Sequence, residues 1–171
     1  MALGRFDQST DVKGLEGVAP TARVEFRLCT QADMDAVFAL EHEWQQEGIA
    51  HVFVPQERDY FVANLNDFPA FFWVAALDRR VIGYINGSVH TGTQETVIPA
   101  DEKYVVIENL YVTSDFRHER IGGQLIERLM DSARQQGIQR FVVGSNSRQM
   151  EKILAFYQSY GFKLWQVQLY Q

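Results

Sequence analysis

Apolar and polar residues alternate at the start of the patterned part of the chain, where Val24, Phe26 and Leu28 interleave with Arg23, Glu25 and Arg27. A period of two predicts a half-buried strand. Thr30 can then cap a helix with Asp33 in its first turn, and Met34, Val37, Phe38 and Trp44 recur near helical spacing until Gly48. A second helical stretch follows Pro55 and runs to about Asn66. The aromatic and apolar run Phe71 to Leu77 reads as a buried strand, Asp78-Arg79-Arg80 as a turn, and Val81 to His90 as the antiparallel return strand. Gly83 and Gly87 inside that strand point to a bulge or a close backbone approach.

A polar loop, Gly92 to Asp101, leads into Tyr104-Val105-Val106-Ile107-Glu108-Asn109-Leu110-Tyr111-Val112, rich enough in β-branched and aromatic residues to predict a central strand. Ile121, Leu125, Leu129 and Ala133, with Ile126 and Met130, then predict a helix closed by Gly137. Phe141 to Val143 is a short buried strand, which makes a strand-helix-strand crossover. A last helix centred on Met150, Ile153, Leu154 and Tyr157 ends near Gly161, and Phe162 to Leu169 alternates as a terminal strand. No internal repeat or domain boundary is visible.

Composition narrows the class. The chain has 171 residues, 46% hydrophobic and 22% charged, which suits one globular α/β domain with its own core. Residues 1–22 read as a flexible extension, with the domain over 23–171. A net charge of -6 and scattered Lys and Arg argue against nucleic acid and suit a cationic ligand. The single cysteine, Cys29, excludes an intrachain disulfide framework and reads as core. No secretory leader and no apolar run of the ~20 residues of a membrane span are present, so a soluble, cytoplasmic protein away from membranes is expected. His42, His51, His90 and His118 show no metal-ligand spacing, and no metal is assigned.

Candidate chemistry gathers where the central strand runs through Thr113-Ser114-Asp115-Phe116 into the helix at Ile121. A helix start directly after a strand offers unpaired N–H groups and a positive dipole end, a setting for phosphate. Gly122 and Gly123 permit close approach of a ligand to the backbone, and Arg117 and Arg120 add charge for a pyrophosphate. Neither the Gly-Lys-Ser/Thr of a nucleotide P-loop nor a dinucleotide Gly-x-Gly-x-x-Gly is present.

The segment Glu108 to Gly122, with Arg117-x-x-Arg120-Ile121-Gly122 at its end, resembles the acetyl-CoA signature Arg/Gln-x-x-Gly-x-Gly/Ala of the GNAT acetyltransferase superfamily. Phe156-Tyr157-Gln158-Ser159-Tyr160-Gly161-Phe162 is similar to the family's Phe-Tyr-x-x-x-Gly-Phe segment. Arg120 stands where the family has its first signature glycine, and Met150 where it commonly has an asparagine. The resemblance implies the GNAT fold: a mixed, mostly antiparallel sheet of six to seven strands flanked by about four helices.

It also implies direct transfer of an acetyl group from acetyl-CoA to an amine in a ternary complex. The cofactor would be held by the main chain of Leu110, Tyr111 and Val112, by Arg117, His118, Arg120, Ile121, Gly122 and Gly123, and by Asn146 in place of the missing asparagine. Asn146 reads equally well as a cap of the last helix. An amine that is protonated at neutral pH needs a base before it can attack. Glu108 matches a glutamate of the polyamine acetyltransferases, and Tyr157 matches the family's acid for the departing thiolate. The acceptor site is expected between the first two helices and the hairpin, with Glu43, Trp44, Glu47, Tyr60 and Phe72 as candidate contacts. Small cationic acceptors, polyamine or aminoglycoside-like, stand ahead of protein or peptide amines. A non-catalytic acyl-CoA-binding module and homodimerisation through paired strands remain open.

Overall fold

Three antiparallel pairings and one parallel pairing build the sheet. The computed structural model describes residues 23–51, 54, 56–94 and 97–167. The strands are β1 (Glu25–Leu28), β2 (Phe72–Leu77), β3 (Arg80–Thr91), β4 (Lys103–Val112) and β5 (Arg140–Val143), and they lie side by side in chain order. Neighbours from β1 to β4 are antiparallel, whereas β5 runs parallel to β4. The helices are α1 (Met34–Glu47), α2 (Arg58–Asp67), α3 (Ile121–Gln135) and α4 (Met150–Gln158). The expected extension over 1–22 lies outside the described residues.

Each local signal has its physical counterpart. At the start of the first helical segment Thr30 is the N-cap and forms a capping box with Asp33, which reaches back to accept from the Thr30 backbone N–H at 2.9 Å and from its hydroxyl at 2.8 Å. Gly48 and Gly137, at φ 60° and 79°, end their helices in the left-handed region that glycine enters without penalty. The β2–β3 turn has Asp78 at φ 48° and Arg79 at φ 69°, the paired positive angles of a hairpin turn whose twist matches its strands.

The sheet is covered on both faces. α3 buries Ile121, Leu125, Ile126, Leu129 and Ala133 against Ala75, Ile82, Ile85, Val105 and Ile107 on one side. On the other, α1 and α2 place Met34, Val37, Leu40, Phe61 and Leu65 against Phe72, Val74 and Tyr84. Cys29 lies in this second cluster, where burial first and then the Asp33 charge push its thiol up to about 12.

The sheet departs from the expected six to seven strands. Residues 162–167 form no strand, so the described residues contain five, and the rest of the expected terminal strand lies outside them. Leu164, Trp165 and Val167 stay 51–62% exposed. Their apolar alternation meets no sheet edge, and alternation alone supplies no hydrogen-bonding partner.

One irregularity positions the site. Asn86 pairs with Asn109, but the next residue, Gly87, pairs with Ile107, so Glu108 is the extra residue of a β-bulge in β4. A Cβ at Gly87 would come within 2.7 Å of the Val106 carbonyl, which explains glycine opposite the bulge. The insertion also reverses the facing of β4. Val105 and Ile107 pack toward α3 before it, Leu110 and Val112 do so after it, and Tyr111 turns to the α1 side.

Candidate active site

Pairing between β4 and β5 stops at Ile107 and Val143. From there β4 continues to Val112 paired with β3 only, and the gap opens into a cleft of about 1050 Å³. One wall is the β4 segment Ile107 to Val112. The others are the start of α3, the inward side of α4 with Lys152, Phe156, Tyr157 and Tyr160, and the Gly144–Ser147 loop. That loop is tied to the chain after α1 by an Ala50–Ser147 bridge and by His51 N–H donating to the Asn146 carbonyl at 3.0 Å. Asn146, expected at the end of the strand, thus lies three residues beyond β5 and lines the cleft.

The loop before α3 keeps the path its missing glycine would give. Arg120 sits at φ 61° and His118 at φ 71°, both in the left-handed region. A non-glycine residue there costs roughly 1–2 kcal/mol. The first backbone bond of α3 runs from Gln124 N–H to the Arg120 carbonyl at 3.0 Å, so the N–H groups of Ile121, Gly122 and Gly123 are left at the helix end. These groups fit a pyrophosphate, with Arg120, His118 and Lys152 in the cleft lining beside them. Gly123 serves packing as well, because a Cβ there would reach within 1.8 Å of the Tyr160 hydroxyl, whereas one at Gly122 would meet nothing nearer than 3.7 Å.

Arg117 has a different set of partners from the expected phosphate. Its Nη2 donates to Glu47 Oε1 at 2.5 Å, its Nε donates to the Val112 carbonyl at 2.9 Å, and its guanidinium lies 5.4 Å from the centre of the Tyr111 ring. The Tyr111 hydroxyl is 2.5 Å from Glu47 Oε1 and 2.9 Å from Glu43 Oε1, Thr113 donates to Glu43, and Trp44 stacks on the Tyr111 ring. Burial and the two carboxylates hold the Tyr111 hydroxyl well above the usual phenol range. Glu43 and Glu47, expected at the acceptor, are therefore braces between α1 and β4. Phe72, also expected there, is fully buried core.

Glu108 projects on the α1–α2 side at the bulge. It lines both the main cleft and a second hollow of about 270 Å³ formed with Tyr60, Asn64, Asp67 and Ser88. Ser88 donates to Glu108 Oε1 and lies 2.8 Å from His90 Nε2. Tyr60 borders the same hollow, and its hydroxyl is pushed up by burial and then by the Glu108 charge. Asn109 Nδ2 donates to Asn86 Oδ1 at 3.1 Å, fixing the backbone just beyond the bulge. Across the cleft, burial pushes the Tyr157 hydroxyl up to about 12, which keeps it neutral at working pH.

Sequence reasoning had not marked Ser88, Glu41, Tyr160 or Lys152, and it gave His90 no role. Ser88 and His90 are two apart on a strand and so share a face, a legible signal. Their partner was not legible, because the bulge sets which β4 residue they meet. Glu41 is 2% exposed, accepting from the Gln56 N–H at 3.2 Å and the Tyr84 hydroxyl at 2.8 Å. Among the described residues no His/Cys/Asp/Glu group has metal-site geometry, and no helix is long and apolar enough to cross a membrane.

Similarity to known proteins agrees with this geometry. Residues 34–162 match the sequence model of the acetyltransferase (GNAT) family. The probable N-acetyltransferase camello of Xenopus laevis is 30% identical over 92 residues, covering 54% of this chain and 38% of that protein. Human N-acetyltransferase 8 is 28% identical over 110 residues, 61% of this chain and 44% of that protein, so the chain spans less than half the length of these relatives. The solved structure of aminoglycoside N-acetyltransferase AAC(6')-Iy with CoA superposes with a TM-score of 0.67 at 16% identity, over 90% of this chain and 98% of that one. With its splayed β4 and β5, its bulge and its open helix start, this chain belongs to the GNAT acetyltransferase family.

Proposed function

We propose that the protein transfers an acetyl group from acetyl-CoA to a primary amine of a small cationic acceptor, polyamine or aminoglycoside-like. The observation that supports this reading is Glu108, which lines both the cleft and the smaller hollow beside α2, and in this reading it meets the amine as it enters from that side. The charge of the cleft is divided accordingly. Arg120 and Lys152 lie toward α3 and α4, Glu41 and Glu108 lie toward α1 and α2, and the charge of Arg117 is met by Glu47. A cation is favoured at the acidic end and a pyrophosphate at the other.

In this mechanism Glu108 accepts a proton from the acceptor ammonium, freeing the nitrogen lone pair for attack on the thioester carbonyl. The free backbone groups of β4 beyond Ile107 hold the pantetheine arm, and an N–H there stabilises the developing oxyanion. As the carbon–sulfur bond breaks, Tyr157 donates its proton to the leaving sulfur and is reprotonated by the second proton that the nitrogen sheds, while the proton taken by Glu108 passes to solvent. The test is release of free thiol from acetyl-CoA across diamines, polyamines, aminoglycosides and peptides. Turnover with cationic small amines, falling about 10²–10⁴-fold in Glu108→Gln with acetyl-CoA binding retained, supports the reading. Silence toward every amine, or preference for peptides, sinks it.

A further inference from the structure

The hydrogens around Glu108 can be counted. Ser88 has one hydroxyl hydrogen, and its contact with Glu108 Oε1 is the closer of its two side-chain contacts, so that hydrogen lies on the Glu108 side. A hydroxyl that donates in one direction can still accept through its lone pairs. His90 Nε2, at 2.8 Å from Ser88 Oγ, is therefore the donor of that pair, which fixes Nε2 as a protonated nitrogen of the imidazole. The His90 ring is held beside Tyr104, with centroids 5.6 Å apart and planes inclined by 30°.

We infer that Ser88 and His90 are positioning residues for the base: a chain of donors, His90 Nε2–H to Ser88 Oγ and Ser88 Oγ–H to Glu108 Oε1, that leaves the second carboxylate oxygen to meet the acceptor. This rests on the reading of Glu108 as base. The bulge explains why such a chain is needed. Glu108 is the residue of β4 without a cross-strand partner, so the position of its side chain, 32% exposed, is not set by the ladder. Ser88 on β3 supplies that constraint, and His90, two residues along the same face, fixes the serine in turn.

The other titratable groups near Glu108 do not supply it. From α2, Tyr60 and Asp67 border the hollow; from β4, Tyr104 stands beside His90; across the cleft lie Lys152 and Tyr157 from α4, and Glu41 from α1. Among the described residues Ser88 is the side chain that hydrogen-bonds Glu108, with His90 Nε2 next at 4.0 Å.

Ser88→Ala is expected to lower kcat/KM for the acceptor about tenfold, with KM for acetyl-CoA within about twofold. His90→Ala should lower it by less. Ser88→Thr and His90→Gln, which keep a donor at each place, should restore most of the loss and keep the test available if Ser88→Ala does not fold. If Ser88→Ala and His90→Ala keep the parental kcat/KM while Glu108→Gln is inactive, the positioning role is wrong and the base assignment stands. If Glu108→Gln retains full activity, both are overturned.

Discussion

Arg117 Nη2 lies 2.5 Å from Glu47 Oε1, joining the loop that opens α3 to the last turn of α1. The side chains of the pair are 33% and 19% exposed.

Breaking this tie should loosen the loop more than it weakens the fold. Glu47→Gln is expected to raise KM for acetyl-CoA several-fold. A double-mutant cycle with Arg117→Gln should return a coupling of about 1–2 kcal/mol in urea unfolding, above the figure for exposed pairs. Additive effects within about 0.3 kcal/mol would show that the contact carries no energy.

Tyr157 has a hydroxyl that burial pushes up to about 12. The neutral form therefore persists through the working range, and kcat should show no alkaline limb from this group below about pH 11. Tyr157→Phe should lower kcat about 10²-fold with little change in acceptor KM, measured by steady-state thiol release. An unchanged kcat would return Tyr157 to a packing role.

At Arg120 the charge and the backbone angle can be separated. Arg120→Gly and Arg120→Ala both remove the guanidinium, but only glycine accepts φ 61° without strain. Both variants should raise KM for acetyl-CoA to a similar degree. Thermal melts should find the alanine variant less stable by about 1 kcal/mol, and equal stabilities would contradict the strained conformation.

A side chain at Gly123 would strike the Tyr160 hydroxyl. Gly123→Ala is expected to cost about 1–3 kcal/mol by overpacking and to raise KM for acetyl-CoA as Tyr160 is displaced into the cleft. Adding Tyr160→Phe removes the clashing oxygen and should recover part of both losses. Absence of recovery would place the effect on the helix backbone instead.

Acid sensitivity should trace to Asp33. Hydrogen bonding from Arg27, at 2.7 Å to each carboxylate oxygen, and from Thr30 holds it down to about 2 from a usual 3.8. Because the folded value lies below the unfolded one, the stabilisation is full above about pH 4 and is lost as pH falls toward 2. It amounts to roughly 2 kcal/mol. Asp33→Ala should be destabilised by that much at pH 7, with the gap to the parent closing between pH 4 and 2 in chemical denaturation.

Local pattern alone settled a large part of this protein. The period-two run at Val24–Leu28, the amphipathic spacing of Ile121 to Ala133 and the glycine stops at Gly48 and Gly137 are short-range physics, and each became the expected element. The signature loop was also legible as residue types at fixed spacing, and the family resemblance it carries put Glu108 and Tyr157 forward as candidates. Tertiary structure decided the rest. Whether residues 162–167 paired depended on whether the chain brings them alongside a sheet edge, and the pairing of Arg117 with Glu47 depended on how α1 crosses β4. The bulge at Glu108 reversed the facing of β4 and brought Ser88 and His90 beneath the carboxylate. A register shift is a relation between two strands, and one strand's sequence does not contain it.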